Sequence, residues 1–386
     1  MNRVCSIFSQ LLKLFTPAEF DRAVHQHKAE RHARGFTCWG QFVAMLFCQL
    51  GRAQSLREIC GGLAACEGKL KHLGVPCAPK KSTLAYANEH RPWQLYQTVF
   101  QDLLQRFRQE LGTHKKFRFK NPLVSLDASV IDLCATLYDW AKFRRAKGGI
   151  KLHLLLDHDG YLPKYAVIEA AKKPELKVAR QLRLEAGTIV VFDRGYIDYR
   201  WFAELTRQGV YFVTRARWNT YFRVVERRAV PKKSHVRSDQ VVLLGHRNYR
   251  TGVPVRRVVV RDPESGKELV FLTNHMTFAA STIARIYRDR WQIEVFFKAL
   301  KQCLRVKTFV GTSANALQTQ IWTALIAMLL LKYLKLKATL GWSLSNLVAL
   351  LRQQLFVYRD LWSWLNCPFE PPPMLEGIHD QLLLPF

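Results

Sequence analysis

The chain has 386 residues, of which 49% are hydrophobic and 23% charged. That excludes wholesale disorder, collagen-like repeats and a membrane bundle, and it suits two or three domains. The charge is lopsided: 59 Lys and Arg against 30 Asp and Glu leave a formal +29 at pH 7, which points to a polyanionic partner, nucleic acid above all, with acidic lipid or ribosomal RNA as plainer alternatives.

In chain order, residues 1–15 read as an amphipathic helix. Lys13 interrupts the apolar stretch and no small-residue cleavage site follows, so it is not a signal peptide. The helix-period stretches 40–50 and 92–111 make residues 1–120 a helical unit. That unit is itself basic, and the turn-rich run from Cys60 to Arg91 has lysines to touch phosphates; a solvated bundle is the plainer alternative. The character changes after Asn121-Pro122. Residues 123–133, 151–157 and 161–170 read as strands, the last two as a hairpin across the His158-Asp159-Gly160 turn. Helical sequence runs from Lys177 to Gly187, then come strand 188–193, helix 198–209 and strand 211–216. This is a mixed sheet with flanking helices.

Residues 215–283 break that rhythm. They carry 14 Lys and Arg against 5 Asp and Glu and read as antiparallel strands, a basic β insertion. One long helix is expected from an N-cap at Ser281, and mostly apolar helix over 313–365. The apolar run 321–331 ends at Lys332, well short of the roughly 20 residues a bilayer span requires, so it reads as a buried helix and no membrane partner is expected. The nine cysteines lack the spacing of a zinc ribbon. They read as reduced, mostly buried thiols of a cytoplasmic protein.

Three carboxylates stand out. Asp127 lies inside an apolar strand, Asp193 ends another, and Glu294 sits on the long helix. A charge within a strand must be compensated, and a divalent cation does so. An edge position or a backbone hydrogen bond would also account for Asp127, and a turn for Asp193. On the helix, Tyr287, Arg290, Glu294, Lys298 and Lys301 are spaced 3, 4, 4 and 3, a fan of roughly 60°. Ile286, Ile293, Phe296, Phe297, Leu300 and Leu304 gather opposite. A solvated face with pairs such as Glu294–Lys298 is the plainer reading. A metal-holding carboxylate flanked by phosphate-holding groups also explains the phenol and the cluster of cations.

The pattern Tyr287, Arg290, Glu294, Lys301 resembles the Tyr-Arg-Glu-Lys signature of insertion-sequence-4 family DDE transposases. The aspartates in LDASVIDLC and VVFDRGY resemble the family's first and second catalytic aspartates, and 140–153, 211–217 and the leader GFTCWGQFVAMLFCQL also look like its stretches. The resemblance implies a ribonuclease H-like catalytic core over 121–312 with an inserted antiparallel β subdomain at about 215–283. It would be flanked by the helical DNA-binding domain 1–120 and a C-terminal helical region, 313–386. Asp127, Asp193 and Glu294 would be catalytic and would hold two Mg²⁺ ions, for which Mn²⁺ substitutes. Tyr287, Arg290 and Lys301 would grip phosphates at the transposon end. The partners would be double-stranded DNA, both the terminal inverted repeats and the target, and a second copy of the chain in a homodimer.

Other residues carry less. Lys298 shares the fan and Trp291 lies near its edge, which makes both candidates for DNA contact. Lys151 and His153 share one side of a strand; a packed or solvated pair is the plainer reading, contact with substrate or with the metal's surroundings the sharper one. Asp132 faces away from Asp127, and Asp157 and Asp159 suit a turn. Trp218 reads as a buried strand anchor, with stacking on a flipped base as the alternative. The rivals to a transposase are a ribonuclease H-like nuclease that cuts without joining, and an inactive DNA-binding descendant.

Overall fold

In the computed structural model, residues 5–31, 33, 35–66, 68–112, 116–133, 142–144, 147–230, 234–245, 252–303 and 309–370 are described. Cys134, part of the 140–153 stretch, Leu304 and Pro371–Pro373 lie outside them.

Six helices come first: α1 (Ile7–Leu12), α2 (Pro17–Gln26), α3 (Cys38–Gly51), α4 (Leu56–Ala64), α5 (Lys81–His90) and α6 (Gln94–Leu111). The sheet region follows with β1 (Leu123–Leu133), β2 (Lys142–Arg144), β3 (Lys147–Asp157), β4 (Pro163–Ala170), α7 (Glu175–Ala179), β5 (Ile189–Phe192), α8 (Tyr199–Arg207) and β6 (Tyr211–Arg215). Then come β7 (Phe222–Arg227), β8 (Val236–Leu244), β9 (Pro254–Arg261) and β10 (Glu268–Thr273). The chain ends in α9 (Ala280–Asp289), α10 (Trp291–Cys303), α11 (Ala314–Lys337), α12 (Leu344–Gln354) and α13 (Leu361–Asn366).

The strands form a single sheet in the order β2-β3-β1-β5-β6-β10-β9-β8-β7, with β4 also paired to β3. β1 is parallel to β5, and β5 to β6; the other pairs are antiparallel. The parallel centre is covered on both faces, so β5 is a continuous buried run, Ile-Val-Val-Phe. β1 starts the same way but turns half-exposed from Asp127 to Ser129, where the chemistry-bearing face opens.

Several expectations are corrected. The anticipated long helix is two, and it begins at Ala280 with Ala279 rather than Ser281 as its cap. Between them Arg290 keeps helical dihedrals, but its N–H bonds to Tyr287 O and its carbonyl accepts from Ile293 N, an i to i−3 tightening that breaks the α ladder. The helix expected through Lys177–Gly187 is a short turn ending at Ala179, because Leu182–Gly187 runs on as loop into β5. The basic strands β7–β10 are antiparallel and continue the central sheet from β6 through β10. The cysteines are less buried than expected: Cys38 and Cys48 are buried, Cys5, Cys60 and Cys66 are half-buried, and Cys77 and Cys367 are exposed on surface segments.

α11 is long and apolar enough by length and composition to cross a bilayer, yet it is packed within the protein. Its residues join α3, α6, α10, α12 and one face of β1 and β3 in one hydrophobic cluster. Trp322 stacks with Trp93, and Tyr333 lies face to face with Phe107 at 3.8 Å. The N-terminal and C-terminal helices are therefore two halves of one core. That core supports the face of β1 carrying Asp127, since Ile131, Leu152 and Leu154 belong to it together with Ile293, Phe296 and Leu300 of α10.

One test follows from the shared core. Leu329 is fully buried on α11, so Leu329→Ala should cost about 3 kcal/mol through lost burial and a residual cavity. Thermal unfolding would register the loss, and hydrogen exchange should speed up in α3 and α6 as well as α11. Loosening confined to α11 would mean the two helical groups are not one unit.

Candidate active site

Asp127 sits mid-way along β1, and its Oδ1 accepts the N–H of Ala128 at 2.8 Å. Burial is the main force on its carboxyl and, with the neighbouring charges of Asp193 and Glu294 adding to it, pushes the pKa up to about 6 against the opposing pull of Ala128 N–H and Arg290. The three expected carboxylates thus share one electrostatic neighbourhood, although they come from β1, the end of β5 and α10. Among the described residues, no three His, Cys, Asp or Glu side chains stand close enough together to enclose a metal ion.

Asp193 leaves β5 and caps the turn behind it, its Oδ1 accepting Gly195 N–H at 2.7 Å. Residue 195 must be Gly for this geometry: a Cβ there would lie 2.8 Å from Asp193 Oδ1. The second carboxylate is therefore held by its own Asp-Arg-Gly turn.

Arg290 stands among the acids. One guanidinium nitrogen is 2.6 Å from Glu294 Oε1 and another 3.8 Å from Asp127 Oδ2, while the group lies 5.5 Å from the centre of the Tyr287 ring. Burial alone would lower its pKa; Tyr287, Glu294 and Asp127 outweigh this and raise it. Its Nε is buried without a hydrogen-bond partner. Where the sequence suggests a pair between Glu294 and Lys298, the structure pairs Glu294 with Arg290, one turn back. Tyr287 packs its ring on Phe271 at 5.2 Å, and burial raises its phenol pKa although Arg290 opposes the shift.

The remaining fan residues divide. Lys301 reaches β1 and donates to Val130 O at 2.7 Å. Lys298 is exposed, and Trp291 is 59% exposed, so both lie on the outer side of α10. Lys151 does not join the site. It pairs with Val130 across the ladder whereas Asp127 pairs with Leu154, and the odd spacing of Asp127 and Val130 puts Lys151 and His153 on the opposite face. There Lys151 binds Glu175 at 3.1 Å. His153 is buried and held neutral, its pKa pulled down to about 4 by burial and then by Lys151.

Trp218 corrects its expectation outright: it is 96% exposed, because it sits in the turn after β6 rather than within a strand. It borders a cleft of about 250 Å³ with Arg194, Arg215, Arg217, Phe222 and Arg257. Arg194 follows Asp193 directly, which ties this basic cleft to the second carboxylate. The sequence carried the signal, since Arg215, Arg217 and Trp218 are nearly consecutive, but the fold was needed to bring Arg194 and Arg257 beside them.

Chemically, the site offers oxygen donors only and a carboxylate costly to ionise without a cation. Both suit a hard divalent ion such as Mg²⁺, which keeps water and substrate oxygens in its shell and needs few protein ligands. Arg290 currently supplies the positive charge.

A family model described as a transposase DDE domain matches residues 118–330, and one described as a domain of unknown function matches residues 4–76. A putative transposase, y4zB, of Sinorhizobium fredii is 29% identical over 83% of this chain and 89% of its own. A probable transposase for insertion sequence element IS5377 of Geobacillus stearothermophilus is 28% identical over 66% of this chain and 67% of its own. Among solved structures, a piggyBac transposase synaptic complex with hairpin DNA matches with a TM-score of 0.45 at 11% identity, covering 95% of this chain and 82% of that one.

Asp127 also offers a stability test. Its raised pKa means ionisation disfavours the folded state, a cost absent below about pH 4, growing toward pH 6 and constant above. Asp127→Asn should therefore stabilise the metal-free protein at pH 8 by about 1–2 kcal/mol, discounted for its partial exposure, and the gain should vanish near pH 4. Thermal unfolding across that range checks both sign and window.

Proposed function

The chain belongs to the DDE transposases, on the branch like insertion sequence 4, and from that premise we propose that it binds the terminal inverted repeats of an insertion sequence, cleaves DNA at their ends and transfers the strands to target DNA. The observation that carries this reading is that β1, the end of β5 and α10 bring Asp127, Asp193 and Glu294 into one electrostatic neighbourhood, where burial first, and then the two other carboxylates, push the Asp127 pKa up to about 6. The strand order β4-β3-β1-β5-β6, antiparallel then parallel, supports a ribonuclease H-like core with β7–β10 inserted before the helix that bears Glu294.

Asp127, Asp193 and Glu294 would hold two Mg²⁺ ions, or Mn²⁺ in their place. When bound, the ions would activate a water or 3′-hydroxyl and stabilise the leaving oxygen in an in-line displacement at phosphorus. The chain's own groups hold the DNA. Arg290 has a planar fork that fits phosphate as well as carboxylate, so a scissile phosphate takes over the contact now made to Glu294. Lys301 and Tyr287 flank it, with Lys298 and Trp291 further out. Trp218 presents an open ring in a basic cleft, a fit for an unpaired base. Lys71, Lys80 and Lys81, exposed around α5, suit phosphates of the terminal repeats. Two copies would face paired ends as a homodimer.

Single-turnover cleavage of DNA carrying the flanking inverted repeat tests the assignment. Asp127→Ala, Asp193→Ala and Glu294→Ala should each lower the rate by 10³ or more, on the order of 4 kcal/mol of barrier, while gel-shift affinity stays near wild type. Near-normal nicking by any one variant removes that residue from the triad. Nicked product that never joins target DNA would favour the nuclease reading.

Affinity should also respond steeply to salt, falling by roughly 10³ between low and moderate salt if several phosphates are neutralised. A flat response would assign the +29 charge to another partner.

A further inference from the structure

A second polar cluster lies on the same face of β1 as Asp127. Ser125 Oγ and His158 Nε2 are 2.7 Å apart, and His158 Nδ1 is 2.6 Å from Asp289 Oδ2. The Tyr161 hydroxyl is 3.1 Å from both Asp289 oxygens, and the Lys116 ammonium bonds to Asp289 and, at 2.9 Å, to Tyr161. A carboxylate can only accept, so His158 Nδ1–H donates to Asp289, and the other ring nitrogen, Nε2, meets the Ser125 hydroxyl.

The order serine, histidine, aspartate looks like a nucleophilic relay, but the serine is sealed. Ser125 is 0% exposed, His158 2% and Asp289 7%, so no substrate reaches the hydroxyl. What the chain joins is more informative. Ser125 precedes Asp127 by two residues on β1, and Asp289 directly precedes Arg290 at the junction of α9 and α10. His158, just past β3, bridges them. The helix break at Arg290 removes the continuous ladder that would otherwise fix α10, so its placement against β1 depends on side chains. Isolated buried charges are costly, whereas here every Asp289 oxygen has a donor.

We propose that Asp289 is a positioning residue for cleavage: through His158 and Ser125 it locks the helix junction bearing Arg290 and Glu294 in register with the strand bearing Asp127. This rests on the reading of those carboxylates as the reacting set. A misplacement of about 1 Å can cost on the order of 100-fold in rate.

The test uses the full chain with Ser125→Ala, Asp289→Asn and the double variant, in single-turnover cleavage with saturating enzyme and Mg²⁺. Each single change should lower the rate constant by roughly 10- to 100-fold with DNA affinity unchanged. The double variant should be no slower than the slower single, because both cut one strut. A role in stability alone would reduce the fraction of active molecules and leave the rate constant of the survivors intact; that result, or rate losses that multiply in the double variant, overturns the proposal. Hydrogen exchange of the DNA-free protein gives a readout independent of activity. Ser125→Ala should speed exchange over 287–294, and Asp289→Asn over 123–130. Effects confined to each variant's own segment also overturn it. A wild-type protein that does not cleave sinks the transposase reading instead, and the exchange measurement then decides the strut by itself.

Discussion

Three carboxylates drawn toward one end of a sheet repel one another, and a partly dry site makes that repulsion expensive. The fold sets Arg290 between Asp127 and Glu294 to offset it, at 3.8 and 2.6 Å. Much of the rest follows from holding that arrangement. The strand must deliver Asp127 half-buried, the helix must break so that a guanidinium can face inward, and a firm apolar floor must keep both from relaxing apart. The compensation is incomplete: Asp127 remains hard to ionise, and Arg290 Nε stays unpartnered. Unbalanced charge and an unpartnered buried donor of this kind mark a candidate functional site.

The floor is the hydrophobic cluster around α11. It reaches from the N-terminal helices through α10 to the face of β1 that carries Asp127. A motion of the N-terminal helices would thus be felt at α10, since α3, α6, α10 and α11 share one core. The basic strands continue the catalytic sheet through the β6–β10 pairing, which gives the cleft at Trp218 a rigid relation to Asp193 instead of a tethered one.

Local patterns made much of this legible beforehand. The β-branched run at Leu123–Leu133, the buried run into Asp193 and the apolar face of α10 are short-range signals, and each folds where its pattern places it. What escaped depended on distance in sequence. Whether Trp218 is buried is decided by a turn and not by its neighbours. Lys151 and His153 look ready for the site until the register puts them on the other face. Asp289 reads as one more charge among Arg288 and Arg290, and its partners lie at positions 116, 158 and 161, far beyond any helical period.

The break at Arg290 illustrates how local and global demands meet. An uninterrupted helix would continue the α ladder through a residue that must turn its side chain between two acids while Asp289, one position earlier, turns into the buried cluster with His158. Tightening to i to i−3 bonds at this point lengthens the rise per residue and widens the angle between neighbouring residues. Adjacent side chains can then serve different polar clusters. A sequence reading that assumes 100° per residue across the junction gathers Tyr287, Arg290, Glu294, Lys298 and Lys301 into one fan. The structure divides them, with Tyr287, Arg290 and Glu294 at the acids, Lys301 on the β1 backbone and Lys298 outside. The inner members are those the carboxylates can use, and Lys298 is left to solvent on the outer side of α10.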